Sequence, residues 1–63
     1  MKFNCWKENV ALIERLCKYD DLKCTSKELH TDIEGDTLCE VNINGQWSAS
    51  IQNYYDENRV RKN

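Results

Sequence analysis

Few residues in this sequence have side chains that could do chemistry: Cys5, Cys17, Cys24, Cys39 and a single histidine, His30. Cys17, Cys24, His30 and Cys39 are the right types for a structural zinc site. Their spacings, six, five and eight intervening residues, lack the close CxxC-like pair that zinc ribbons and fingers use. The favoured reading makes the cysteines small buried apolar residues and His30 a surface group, with zinc as the alternative and no cofactor expected. A thiol nucleophile needs a base in reach and a third group to orient that base, and the sequence supplies one histidine with nothing to bring a cysteine to it. The only glycines, Gly35 and Gly45, are too scattered for a phosphate loop. The expectation is a protein that is not an enzyme. Disulfides are disfavoured if the chain stays in a reducing cytosol. With Cys5 and Cys17 on one helix, twelve residues would hold them ~18 Å apart, which excludes that pair, whereas Cys17–Cys24 and Cys24–Cys39 stay open.

Charge offers a second kind of chemistry. The acidic stretch from Asp20 to Glu40 reads as a solvated face or as a contact for a host protein with a basic surface. A net charge of −2 is small for a nucleic-acid mimic. Arg59, Arg61 and Lys62 form a basic tail suited to holding phosphate or to keeping the chain in solution. Trp47, Tyr54 and Tyr55 read as core, with partner anchoring as the alternative.

The elements that must position these groups follow from periodicity. Sixty-three residues make a single small domain, 1–63, with a thin core. Residues 5–19 read as a first helix, with Trp6, Val10, Ile13 and Cys17 on one stripe and Asn4 as N-cap. Thr25-Ser26-Lys27-Glu28 has capping-box spacing and opens a second helix over residues 26–33, with Leu29 and Ile33 inward and Gly35 as its stop. Residues 37–51 admit two readings. Asn44-Gly45 is a hairpin signal, but only a three-residue loop puts Ile43, Val41 and Cys39 on one face with Trp47, Ala49 and Ile51. The favoured reading is a third helix over residues 46–57, with Trp47, Ile51, Tyr54 and Tyr55 at i, i+4, i+7 and i+8. Val10-Ala11-Leu12-Ile13 is too short for a signal peptide or a membrane span, so the expected location is the cytoplasm with no membrane contact.

In that arrangement residues 10–62 resemble a winged helix-turn-helix domain. Thr25-Ser26-Lys27-Glu28-Leu29 is similar to the T-x-x-E-L start of the family's second helix. The segment from Ser48 to Lys62 is similar to its V-S-x-x-L-x-x-L-x-x-x-G-L-V-x-R ending, with Ile51 and Tyr54 in apolar places, Asn58 at the turn glycine and Val60 opening a wing strand. The resemblance implies that the third helix enters the major groove of double-stranded DNA. It puts Ser48, Gln52 and Asn53 at the bases and Arg59, Arg61 and Lys62 at phosphate. From Glu28 to Glu57 the chain carries seven acidic residues and no lysine or arginine, so the tail must supply most of the phosphate contacts unless a homodimer doubles them.

The expectation is therefore a mainly α domain, with a small α+β domain as the alternative: three helices in a helix-turn-helix-like arrangement and a short β-ribbon at residues 37–43 or at the tail. Its expected function is a small regulatory DNA-binding module. The alternative is a protein-interaction module of the phage inhibitor or adaptor type, using an acidic and aromatic surface without touching DNA.

Overall fold

The computed structural model describes residues 1–62. Strand β1 spans Lys2–Trp6, a single 3-10 turn Lys7–Asn9, helix α1 Val10–Tyr19, strand β2 Cys24–Thr31, strand β3 Thr37–Ile43 and helix α2 Ala49–Asn58. The strands form one antiparallel sheet in the order β1-β3-β2. β1 and β2 are therefore parallel, with β3 between them and α1 as the crossover, a split β-α-β unit.

This is a small α+β fold with two helices, and it overturns the expected three-helix, mainly α architecture. Three elements account for the difference. Lys2–Trp6 is a strand and not the start of a helix, because Phe3 and Cys5 face the core opposite Val41 and Cys39. Residues 26–33 do not form a helix. A helix there would have buried only Leu29 and Ile33, and instead Leu29 is largely exposed and Ile33 is wholly so. Its backbone groups pair with β3 from Cys24 opposite Ile43 to Thr31 opposite Thr37, with a bulge between Glu28 and His30. The turn of this hairpin falls at residues 32–36, not at Asn44-Gly45. Asp32 Oδ1 accepts from the backbone N–H groups of Glu34 and Asp36, each at 2.9 Å. Gly35 donates to the Asp32 carbonyl and takes a φ of 87°, a region glycine enters without steric cost. The tail after Asn58 forms no wing strand among the described residues.

The core lies between one face of the sheet and the two helices. On β3, Thr37, Cys39, Val41 and Ile43 are buried while Leu38, Glu40 and Asn42 face outward, the alternation of a strand with one covered face. Helix α1 contributes Ile13, Leu16 and Cys17. It ends in two reversed hydrogen bonds, Leu22 N–H to Cys17 O at 2.8 Å and Asp21 N–H to Lys18 O at 3.3 Å. Asp21 takes the left-handed position of this Schellman ending, at φ 54°. Helix α2 begins at the N-cap Ser48, whose hydroxyl accepts from Ile51 N–H, and Asp20 Oδ2 accepts from Ser48 N–H at 2.7 Å. That contact joins the end of α1 to the start of α2. Trp47, just ahead of α2, packs with Tyr55 and Phe3 at ring separations of 5.1 and 5.9 Å. The Trp47 indole N–H is buried with no hydrogen-bond partner among the described residues, a cost that the aromatic packing must exceed.

Asn9 is the other fixed point. It is 1% exposed, its side-chain amide donates to Val60 O at 3.0 Å, and its Oδ1 accepts from Val60 N–H at 2.7 Å. Asn9 precedes α1, but its side chain makes no cap bond; it holds the C-terminal tail instead.

Candidate interaction surface

Helices α1 and α2 lie side by side over the sheet and leave a cleft of about 640 Å³ between them. Helical spacing builds its walls. Arg15 and Tyr19 are four apart on α1, with Leu16 between them at the floor, and Ser50, Ile51 and Tyr54 rise one turn along α2. Leu16 is buried and Ile51 half-buried. The tyrosine rings stand out from the fold, Tyr19 at 74% and Tyr54 at 48% exposure. Arg15 is the only charged residue in the lining and has no ion-pair partner among the described residues. The cleft thus combines an apolar floor, two amphipathic rings and one free cation. Tyrosine and arginine are the residue types that dominate binding hot spots.

A second exposed feature, the outer edge of β2, is less suited to a partner. From Thr25 to Thr31 every residue of β2 is exposed. A bulge interrupts the strand at Leu29 and Lys27 sits on it, both devices that discourage strand addition.

The residues expected at DNA are spread over several local tasks. Ser48 caps α2, and Gln52 Nε2 donates to Asp56 Oδ1 at 3.2 Å. Asn53 is exposed on α2 and Arg59 forms its C-cap. Arg61 donates to the Asp56 carbonyl at 2.6 Å. Lys62 folds back between Glu8 and Asp36, 2.5 Å from each, with its ammonium 5.4 Å from the centre of the Trp6 ring. The hydrogen bonds to Asp36 and then Glu8 raise the Lys62 pKa, and the bond from Lys62 lowers that of Glu8.

The acidic stretch is also largely engaged within the chain. Glu28 pairs with Lys7, Glu40 with Lys2 and Lys27, and Asp36 with Lys62, while Asp20 and Asp32 accept backbone hydrogen bonds. Of the three aromatics expected in the core, Trp47 and Tyr55 are buried and Tyr54 faces the cleft. Burial is the main reason the Tyr55 pKa is raised. Arg15 and Tyr19 carried no functional expectation. Tyr19 is the last residue of α1, and nothing local tells whether its ring is covered.

The proposed zinc set is divided. His30 lies opposite Leu38, on the other face of the sheet from buried Cys39. Cys39 faces Cys5 across β1 and β3, and Cys24 packs against the core cluster that contains Cys17. Among the described residues no three potential ligands form a metal-binding cluster, and no helix is long and apolar enough to cross a membrane. Compared with protein-family models, curated proteins and solved structures, the chain matches none of them.

Proposed function

We propose that this protein acts by binding another protein, and that the cleft between α1 and α2 is where it does so. The observation that carries this reading is the exposure of Tyr19 and Tyr54 over an apolar floor, beside an Arg15 with no ion-pair partner among the described residues. The occupant with matching chemistry is a peptide segment bearing an apolar side chain for the floor and a carboxylate for Arg15. A role at DNA has less support, because Arg61 and Lys62 already have partners within the chain and the second helix of the expected motif is a strand.

Selection of a random peptide library against the folded protein tests the proposal. Enriched peptides should pair an aromatic or aliphatic residue with Asp or Glu and shift the amide resonances of Arg15, Tyr19, Ile51 and Tyr54. Tyr54→Ala should weaken them about tenfold or more, ~1.4 kcal/mol. Shifts confined to the sheet, or affinity unchanged in Tyr54→Ala, would overturn it. A parallel titration with duplex DNA at low salt separates the two readings. Shifts at Ser48, Gln52, Asn53 and Arg59 to Lys62 that fade as salt rises would favour DNA instead.

A further inference from the structure

The four cysteines come together in twos. Cys5 and Cys39 are directly opposed across β1 and β3, both on the buried face of the sheet. Opposed residues of an antiparallel pair have Cα atoms about 4.5 or 5.5 Å apart, and both values fall inside the range of about 4.4–6.8 Å that a disulfide spans. Cys17 lies in the last turn of α1 and Cys24 opens β2. The Schellman ending of α1 turns the chain back between them: Leu22 N–H bonds to Cys17 O, and Asn44 N–H to Lys23 O. Cys24 then packs against the core cluster that contains Cys17.

We propose that these are two disulfide-forming sites, Cys5–Cys39 and Cys17–Cys24, oxidised by a small-molecule disulfide of the glutathione class. At each site one cysteine sulfur attacks the oxidant's disulfide and releases one small thiol. The second cysteine sulfur then attacks the resulting mixed disulfide and releases the other. Two S–H bonds are lost and one S–S bond forms; the oxidant takes up both electrons and both protons as two thiols. Cys24 is half-exposed and Cys17 buried, so Cys24 is the entry point of its pair and Cys17 the resolving thiol. Cys5 and Cys39 are both buried and react on local opening of β1.

All four are thiols in this structure, and their surroundings bear on rate and persistence. Burial, then Cys39 nearby, pushes Cys5 up to about 11, and burial, then Cys17 beside it, pushes Cys24 to about 11. Thiols held protonated attack slowly, and a disulfide whose released thiolates would be poorly stabilised resists reduction. Oxidation should be slow and the product durable. The pairs tie the strand before α1 to the central strand and the end of α1 to the strand after it, so both ends of the crossover would be covalently fixed. A pair supplies two ligands where a structural zinc needs four, and no third ligand joins either pair to form a cluster among the described residues.

The sequence makes the test direct, because trypsin leaves each cysteine in its own peptide: 3–7, 16–18, 24–27 and 28–59. The folded full chain is incubated with oxidised and reduced glutathione, free thiols are alkylated, and the digest is read by mass spectrometry. The expected result is peptide 3–7 joined to 28–59 and 16–18 joined to 24–27, each bridge two hydrogens lighter than its thiols. C39S should lose the first linkage and keep the second, and C24S the reverse. Scrambled linkages would overturn the pairing, and so would four free thiols or only glutathione adducts after oxidation is complete in an unfolded control. If a serine variant does not fold, the linkage map of the unsubstituted chain decides alone.

Discussion

Replacing Asn9 by alanine should detach the C-terminal tail and cost a large share of the stability. The side chain makes two hydrogen bonds to the backbone of Val60, at 3.0 and 2.7 Å, from a position 1% exposed. Each bond contributes about 1 kcal/mol net. Removing the amide leaves a void of roughly 40 Å³, which adds about 1 kcal/mol. Val60 is itself exposed enough for water to take its freed groups, so the loss should be about 2–3 kcal/mol. A chain of this length is stable by only ~3–9 kcal/mol, and a loss of that size is measurable. Urea unfolding followed by the fluorescence of buried Trp47 is the assay, with the midpoint falling at nearly constant slope. Asn9→Asp isolates the hydrogen-bond part. One oxygen can still accept from Val60 N–H, but the other now faces the Val60 carbonyl and needs a proton to bond it. The folded pKa of that aspartate should rise above its unfolded value near 3.9. Relative to the unsubstituted chain, Asn9→Asp should then be most stable below pH ~4 and lose stability as pH rises through the folded pKa. A loss below about 0.5 kcal/mol in Asn9→Ala, or an Asn9→Asp penalty that does not vary with pH, would refute the assignment.

Two further outcomes follow from local geometry. Asp21 holds the left-handed position that ends α1; Asp21→Gly should stabilise the fold by up to about 1 kcal/mol in thermal or urea unfolding, and a destabilised variant would mean the side chain does more than fill the position. Lys62 lowers the Glu8 pKa. The stabilisation from Glu8 should be present above its unfolded pKa near 4.3 and be lost as pH falls through the lower folded value. In Lys62→Ala an NMR titration should show the Glu8 pKa moving up toward the ordinary carboxylate range, and an unchanged value would place the cause elsewhere.

Which parts were legible in the sequence can be traced to the range of the interactions involved. Of the stripe Trp6, Val10, Ile13 and Cys17, the last three are a local signal that gives α1 its body and its buried face, whereas Trp6 ends β1. The stripe of Ile51 and Tyr55 likewise placed α2 to within three residues at its start and one at its end. Of the two places the sequence offers for a short β-ribbon, residues 37–43 and the tail, the first is the central strand. Gly35 was marked as a stop, and it does turn the chain, though inside a hairpin rather than after a helix.

The misreadings share a cause. Thr25-Ser26-Lys27-Glu28 satisfies a capping box by its own spacing, and Leu29 and Ile33 satisfy a helical step. That segment is nonetheless a strand, because β3, some ten residues on, offers its backbone a full set of partners. The end of β1 reads as the start of the first helix because the strand's partners lie 32–40 residues away, outside any local window. The neighbours of the cysteines are hidden in the same way, since no spacing rule sets Cys5 against Cys39.

By itself the sequence determined the size of the core, the absence of a long apolar span, the two amphipathic helices and the turn-forming glycine, all of which depend on composition or on neighbours within a few residues. Only the tertiary structure decided the sheet and its order, the placing of Cys5 opposite Cys39, the internal use of the basic tail and the exposure of Tyr19 and Tyr54. Each of these is a contact between distant segments, fixed by backbone pairing and by which faces the core has room to bury.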